Sequence, residues 1–262
     1  MKLHGKLHMG KSRRKRRLFV LLGGCLALVL AGAAVFLLLW NGVILLNSPS
    51  REEYPVRGVD VSSYQGEIDW PTLAGQDIQF AFIKATEGSS LTDPCFSYNY
   101  AQASKTGLRI GAYHFFSYDS PGETQAENFI RTVPRAEGML PPVVDVEFYG
   151  DKEKNPPERE ATVRELTAML ERLESHYGVR PILYATEKSY SLYLAGGFAA
   201  YDIWIRNVVT SPSLSDGRDW TFWQYTNREK LDGYHGREPF IDMNVFAGTA
   251  EEFAAYPPAQ EN

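Results

Sequence analysis

The sequence predicts an α/β fold in which mainly parallel strands close into a barrel. Beyond residue 55, five apolar strand patterns are each followed by a helix pattern, and three more strands follow with little helix between them. Such alternation is typical of parallel sheets whose outer face is covered by helices. Polar residues also recur in the same phase near the strand ends, as expected where barrel strands finish at one rim.

The first 46 residues differ in composition from the rest of the chain. Residues 1–17 contain eight Lys or Arg and no acid, and residues 18–46 are 29 residues without a charge. A bilayer span needs about 20 apolar residues, and basic residues before it keep that end cytoplasmic. We expect a basic cytoplasmic tail at 1–17, a single transmembrane helix as the anchor at 18–46, and a linker at 47–54. Secretion after signal cleavage near residues 31–34 is the alternative.

The domain that follows is predicted at residues 55–250, with a polar tail at 251–262. Its charge and cysteine content exclude several kinds of binding site. The net charge is −5, and removing the eight basic residues of 1–17 leaves −13 for the remainder. An acidic body argues against a nucleic-acid partner. Cys25 falls in the predicted anchor and Cys95 in the domain, so no disulfide within the domain is expected. No Cys/His cluster has metal-ligand spacing, and we expect neither a metal nor a cofactor.

The predicted strands are short runs rich in β-branched and aromatic residues. They lie at 56–61, 79–88, 109–116, 142–148, 181–185, 201–206, 221–225 and 240–245.

Helix signals separate the first six of these strands. Helices are expected from about residue 68, at 99–105, after 120–123, after 155–158 and at 187–194. Ser120 to Glu123 has the pattern of a capping box with Pro121 at the first helical position. In the helix after 158, apolar residues recur at helical spacing as far as Tyr177, and Gly178 is expected to end it.

Two carboxylates end the fourth predicted strand. Asp145 and Glu147 are separated by one valine, so in a strand they project to the same face, about 6–7 Å apart. Acids that close shift each other's pKa, so that one stays protonated while the other is ionised. A solvated pair would be the ordinary interpretation of one such motif. Polar residues recur in the same phase on eight strands, and this favours a catalytic role for the pair.

The predicted rim combines acids with aromatic and amide side chains, which suits a carbohydrate. Hydrolysis of a glycoside needs one protonated carboxyl and a second group that manages charge at the anomeric carbon. The sequence lacks a nucleophile-elbow serine, a Gly-rich phosphate loop and an H-E-x-x-H motif. His114 is interpreted as a packed residue and not as a base. The rim set is Asp60, Lys84, Glu87, Tyr113, His114, Asp145, Glu147, Tyr184, Trp204, Trp223, Gln224 and Asp242.

Several blocks, in order along residues 56–246, resemble one family. They are Arg-Gly-Val-Asp-Val-Ser-Ser-Tyr-Gln-Gly at 57–66 with Ile-Asp-Trp at 68–70, and then the segments 82–88, 111–115, 145–147, 223–225 and 241–244. Together they are similar to the motifs of glycoside hydrolase family 25, the N-acetylmuramidase lysozymes.

The resemblance implies an irregular TIM-like (β/α)5β3 barrel that cuts the β-1,4 bond between N-acetylmuramic acid and N-acetylglucosamine in peptidoglycan. It implies that Glu147 is the general acid and Asp145 its partner carboxylate, with Asp60 and Asp242 completing an acidic floor. Retaining, inverting and substrate-assisted mechanisms all stay open; in the last, the 2-acetamido group of the sugar attacks. The substrate-binding residues would be Lys84, Glu87, Tyr113, Tyr184, Trp204, Trp223 and Gln224.

One motif departs from the family pattern. On the sixth strand, Trp204 is followed by Ile205, Arg206 and Asn207, where such lysozymes usually continue into a small residue and then a tyrosine. Arg206 at the rim is expected to alter which sugar or stem peptide is accepted. The expected function is a membrane-anchored muramidase in cell-wall remodelling. The rivals are a barrel that binds glycan without cutting it, and a hydrolase of another N-acetylated glycan such as chitin.

Overall fold

The computed structural model describes residues 5–257, so residues 1–4 of the predicted basic tail and 258–262 of the polar tail lie outside the described residues. The chain divides into two compact units, one ending at Ile44 and one beginning at Leu45. The first contains helix α1 (Gly5–Trp40), in which the 25 residues Arg16–Trp40 are long and apolar enough to cross a membrane. The helix ends at Trp40, so residues 41–46 of the predicted span are not helical.

The second unit is built on a closed barrel of eight strands. The order around the barrel is β1-β9-β8-β7-β6-β5-β4-β2, and pairing of β1 with β2 closes it. All neighbours are parallel except β9, which runs antiparallel to both β1 and β8. A two-residue strand, β3, pairs only with β2. The strands are β1 (Arg57–Val61), β2 (Phe80–Glu87), β3 (Leu91–Thr92), β4 (Arg109–Phe115), β5 (Val143–Val146), β6 (Ile182–Thr186), β7 (Ile203–Arg206), β8 (Phe222–Glu229) and β9 (Ile241–Phe246).

Helices follow the first five barrel strands and are absent from the connections of the last three. They are α2 (Trp70–Ala74), α3 (Phe96–Ala103), α4 (Gly122–Thr132), α5 (Arg159–Tyr177) and α6 (Glu187–Ser189), which continues as a π-helical turn at Tyr190–Leu194; α7 (Ala250–Ala254) comes after the barrel. The predicted (β/α)5β3 barrel is therefore confirmed.

The start of α4 differs from the sequence pattern, whereas the end of α5 agrees with it. Pro121 and not Ser120 precedes α4, and it has no capping side chain, so the predicted capping box is wrong. The Gly122 N–H instead donates to Glu165 Oε2 of α5 at 3.1 Å. A Cβ on Gly122 would lie 1.8 Å from the Glu165 carbonyl oxygen of α5, so the glycine is required for the two helices to approach closely. At the end of α5, Gly178 adopts φ 72° and ends the helix as predicted, because only glycine enters that region without steric cost.

Alternation of side chains along the strands separates two layers of the core. On β5, Val144 and Val146 face outward and pack in the cluster beneath the helices. Val143 faces inward, with aromatic side chains such as Phe80, Phe82 and Phe222 that fill the barrel centre. Because residues i and i+2 share a face, the inward positions beyond this apolar plug carry the polar residues of the rim.

The amino-terminal ends of the strands are covered by residues that follow the barrel. Phe253 of α7 lies 5.4 Å from the Phe80 ring, and Tyr256 lies 5.5 Å from the Phe222 ring. Both side chains are buried, and the Arg109 side chain donates to the carbonyl oxygens of Phe253 and Tyr256. The barrel domain thus extends at least to residue 257, past the start of the predicted polar tail at 251.

The predicted linker also lies against the barrel domain. The Asn47 side chain donates to the carbonyl oxygens of Asn207 and Thr210, both at 3.2 Å. The Tyr54 ring packs 5.8 Å from Trp220 and 6.0 Å from Trp223. Residues 47–54 therefore form part of the packed second unit.

Candidate active site

Inward side chains at the carboxyl ends of the parallel strands converge on one acidic site. β1 contributes Asp60, β5 contributes Asp145 and the following Glu147, and β9 contributes Asp242. β9 runs antiparallel, so it enters the site near its beginning, where Asp242 lies directly opposite Asp60. The four predicted acids are thus brought to one end of the barrel.

Asp60 and Asp242 form a hydrogen-bonded carboxyl pair. Burial raises the pKa of both groups, and the charge of Asp60 raises that of Asp242 further. Their mutual hydrogen bond lowers the pKa of Asp60 and raises that of Asp242, so Asp60 is the more readily ionised of the two. Asp60 Oδ2 also accepts from Gln224 Nε2 and from Asn244 Nδ2, each at 2.8 Å. These donors stabilise Asp60 as the ionised member of the pair.

Asp145 and Glu147 form the second coupled pair. Burial raises the pKa of Asp145 well above its usual value, and the neighbouring Glu147 raises it further. Burial also raises the pKa of Glu147, while Arg206 lowers it. The two carboxyls therefore titrate as a coupled pair, in which a proton on one favours ionisation of the other. Asp145 Oδ1 is buried and accepts no hydrogen bond from any described residue, whereas Glu147 is half-buried at the mouth of the barrel.

Lys84, Glu87 and Tyr113 line the β2–β4 side of this site. Lys84 Nζ lies 2.7 Å from Glu87 Oε2 and 4.8 Å from the centre of the Phe115 ring. Its charge lowers the pKa of Asp145. Burial and the surrounding acids raise the pKa of the Tyr113 hydroxyl, which keeps it a neutral hydrogen-bond donor. All three predicted residues therefore adjoin the acids.

Two predicted aromatic residues form the layer beneath the acids. Tyr184 donates to Gln224 Oε1 at 3.0 Å, and Trp204 Nε1 donates to Asn244 Oδ1 at 2.8 Å. The Trp204 ring is buried and stacks on Phe82 at 4.7 Å. Tyr184 and Trp204 thus orient the two amides that bind Asp60.

Trp223 is not brought to the site. Neighbours on a strand face opposite sides, and Trp223 precedes the inward-facing Gln224. Its indole packs on the outer side against Tyr54 and Trp220, and its Nε1 donates to the Asn207 carbonyl oxygen at 2.7 Å. The structure gives Trp223 a packing role outside the barrel.

His114 also faces outward, so its predicted place in the rim set is wrong, whereas its interpretation as a packed residue agrees with the structure. Its ring nitrogens lie 2.7 Å from Thr86 Oγ1 and 3.0 Å from Gln125 Oε1 of α4. Burial lowers its pKa to about 4, so the ring is neutral at physiological pH.

Two further residues belong to the site: Asn244, which has no role in the sequence prediction, and Arg206, which was expected only to alter substrate acceptance. Asn244 is fully buried and donates to Asp60, and it lies two residues beyond Asp242 on the same face of β9. The i+2 rule that singles out Asp145 and Glu147 would have found it. Arg206 ends β7 on the inward face, and its charge lowers the pKa of Glu147, Asp60 and Asp242.

The family model for glycosyl hydrolases family 25 matches residues 59–234. The chain belongs to this family. Among family 25 structures, a glycosyl hydrolase from Bacillus anthracis is 58% identical, with a TM-score of 0.77 over 81% of this chain and 97% of that one. Lysozyme M1 of Streptomyces globisporus is 31% identical over 76% of this chain and 70% of that protein. Protein YegX of Escherichia coli K12 is 39% identical over 78% of this chain and 74% of that protein.

Membership in family 25 makes the chain a glycoside hydrolase, and the family's lysozymes support activity on peptidoglycan. The expected class of enzyme is confirmed. The acidic rim described above is the part of the barrel where such chemistry has the groups that it needs: paired carboxyls with raised pKa values and neutral donors around them.

Proposed function

We propose that this enzyme is an N-acetylmuramidase, which cleaves the β-1,4 bond after N-acetylmuramic acid with Glu147 as general acid. The observation that carries the proposal is the coupled pair of Asp145 and Glu147 at the barrel mouth, with the pKa of both carboxyls raised. A carboxylic acid must keep its proton near neutral pH to donate it to a leaving oxygen. Of the two, Glu147 is the more exposed, and so the one that a glycosidic oxygen can reach.

Asp145 is suited to the sugar's 2-acetamido group. Its Oδ1 is buried without a partner, so it can accept the acetamido N–H. That hydrogen bond favours the ionised form of Asp145, and the proton shared by the pair then resides on Glu147. Substrate binding would thereby prepare the acid. The same contact would orient the acetamido oxygen towards the anomeric carbon, which supports the substrate-assisted mechanism.

Asp60, held ionised by Gln224 and Asn244, is suited to stabilising positive charge at the anomeric carbon. The two amides are held in turn by Tyr184 and Trp204 and require little rearrangement during reaction. Preorganised charge in a buried site is usually the largest catalytic contribution.

The test is digestion of purified peptidoglycan by the full chain in mild detergent, followed by borohydride reduction and mass spectrometry. Wild type should release fragments with reduced N-acetylmuramic acid, and Glu147→Gln should lower the rate by about 10²–10⁴-fold. Glu127→Gln, which removes an exposed acid paired with Arg172 on the helices, is the matched control and should keep full activity.

Other products would refute the assignment in distinguishable ways. Fragments ending in reduced N-acetylglucosamine would make the enzyme a glucosaminidase. Cleavage of chitin oligomers but not of peptidoglycan would indicate another N-acetylated glycan. Glycan that is bound but never cut would indicate a binding barrel.

The N-terminal helix supports a location at the cell membrane with the barrel on the wall side, where the enzyme would remodel nearby wall. The support is the basic segment of residues 1–17 followed by the apolar stretch Arg16–Trp40. Carbonate extraction should leave the protein in the membrane fraction, and protease added to spheroplasts should remove the barrel. A shortened protein recovered from the medium would instead indicate a cleaved signal.

A further inference from the structure

Arg206 is placed at the rim by the alternation of β7. Ile203 and Ile205 face the helices, whereas Trp204 and Arg206 face the barrel interior. Arg206 pairs in register with Gln224 of β8, whose amide contacts Asp60 at 2.8 Å and Asp242 at 3.4 Å. The side chain is half-buried. The guanidinium therefore lies on the same inward face as the acids, and its charge lowers the pKa of Glu147, Asp60 and Asp242.

The two inward cations of the rim serve different acids. Lys84 acts on Asp145 and is already paired with Glu87 at 2.7 Å. Arg206 acts on Glu147 and on the Asp60–Asp242 pair, and among the described residues it has no ion-pair partner in direct contact. Its positive charge can therefore stabilise a carboxylate that forms in this part of the site.

We propose that Arg206 is the counter-charge for the proton transfer, stabilising the carboxylate that Glu147 becomes when the glycosidic bond breaks. The inference rests on the proposed role of Glu147 as general acid. In that step the O–H bond of Glu147 breaks and its proton goes to the leaving oxygen. That oxygen also keeps the electron pair of the cleaved C1–O bond. The negative charge left on Glu147 develops opposite the guanidinium, in a half-buried site where such interactions are strong.

Several titratable groups face Arg206 from the surrounding strands. They are Asp60 on β1, Glu147 after β5, Tyr184 on β6 and Asp242 on β9. Glu187 of α6 accepts from Asn207, the residue after Arg206. Asp60 is bound by its own two amide donors, which favour its ionised form, whereas the charge of Asp60 favours the protonated form of Asp242. Glu147 is therefore the group whose charge changes during catalysis, and Arg206 is the main interaction that lowers its pKa.

The experiment compares Arg206→Met, Arg206→Gln and Arg206→Lys in the full chain, with kcat and KM on peptidoglycan measured from pH 4 to 9. Without the guanidinium the pKa of Glu147 rises. The neutral variants should therefore lower kcat by about 10- to 100-fold, while the alkaline limb of the kcat profile moves to higher pH. Arg206→Lys should restore most of the rate and the original limb. Arg164→Met, which removes a largely exposed charge on α5, is the control and should leave both unchanged.

Three outcomes would overturn the inference. An unmoved alkaline limb with reduced kcat would make Arg206 a purely structural residue. A higher KM with unchanged kcat and limb would make it a binding residue for an anionic part of the substrate. Wild-type kinetics in the neutral variants would show that Arg206 has no role in the reaction.

A second measurement does not depend on turnover and covers variants that lose activity through misfolding. Thermal unfolding identifies the folded variants, and ¹³C NMR of the Glu147 carboxyl then follows its titration directly. The pKa should be higher in a folded neutral variant than in wild type; an equal or lower value would refute the inference. If the wild type itself fails to cut peptidoglycan, the proposed function fails, which is a different result from a cutting wild type and an indifferent Arg206.

Discussion

Asp60 and Asp242 oppose each other across β1 and β9, and the pKa of Asp242 is raised well above its usual value by burial and by the charge of Asp60. The pKa of this carboxyl is higher in the folded state than in the unfolded state, where it is about 3.9. Its protonated form stabilises the fold fully below a pH of about 3.9, and that contribution is lost as the pH rises through the folded-state pKa. Asp242→Asn should therefore raise the free energy of unfolding at pH 7 by about 0.5–2 kcal/mol while reducing activity. The gain should vanish near pH 4.

Urea unfolding at pH 7 and pH 4 measures this directly. Asp119→Asn is the opposing control, because hydrogen bonds from Lys152 and Tyr149 lower the pKa of Asp119, which is exposed. That variant should not be stabilised at pH 7. A gain for Asp242→Asn that persists at pH 4 would mean that the substitution acts through packing and not through the proton.

His114 offers a prediction that separates packing from chemistry. Its two ring nitrogens are used by Thr86 and Gln125, and its pKa of about 4 keeps it neutral over the range in which a base would titrate. His114→Ala should destabilise the domain by about 2–4 kcal/mol, because it opens a cavity and leaves buried polar partners unpaired. The pH–rate profile of the folded fraction should keep its shape. Loss of either limb would give His114 a catalytic role.

The site residues show what period-2 alternation can predict. Asp145 and Glu147 share a face because one valine separates them, and the structure brings both to the rim. Trp223 and Gln224 were both predicted at the rim, but adjacent residues of a strand cannot both face inward. Which of the two does so depends on the register with β7 and β9, which comes from pairing between distant segments.

At the scale of elements, the contact between α4 and α5 depends on Gly122. The residue's Cα faces the backbone of α5, where an added Cβ would meet the Glu165 carbonyl oxygen at 1.8 Å. Gly122→Ala should force the helices apart and cost about 1–3 kcal/mol or more. Gly107→Ala is the matched control, since no atom lies within 4 Å of its added Cβ. Thermal unfolding of both variants is the measurement, and equal melting temperatures would contradict the prediction.

The same helix shows where local patterns mislead. Ser120 to Glu123 has a capping-box pattern, yet the Ser120 carbonyl accepts from the Gln125 side chain and the helix begins after Pro121. Gln125 is committed to this loop and to His114, which belongs to β4. Contacts with a distant strand thus decide the helix start, and a four-residue pattern contains none of that information.

At the scale of the whole molecule, the barrel was predictable because each parallel strand repeats one pattern and each carboxyl end bears a polar residue. The sequence did not predict that residues 251–257 cover the other end of the barrel, at the amino-terminal ends of its strands. Residues 251–257 are mostly polar or small, and only Phe253 and Tyr256 give an apolar signal. Those two rings complete an aromatic cluster with Phe80, Phe222 and Phe246, which lie far apart in sequence.

The domain was predicted to end at residue 250, where the helix α7 begins. Chains that end before and after α7 should therefore differ in thermal stability. Ending the chain after residue 249 removes the buried rings of Phe253 and Tyr256, and the carbonyl acceptors of Arg109 with them. Loss of one such buried aromatic ring costs about 3–5 kcal/mol, so this variant should lose most of its cooperative thermal transition. Ending the chain after residue 257 keeps both rings and should melt like the full chain in circular dichroism. If the two shortened chains melt at the same temperature, α7 is dispensable and the barrel centre is stabilised by its strands alone.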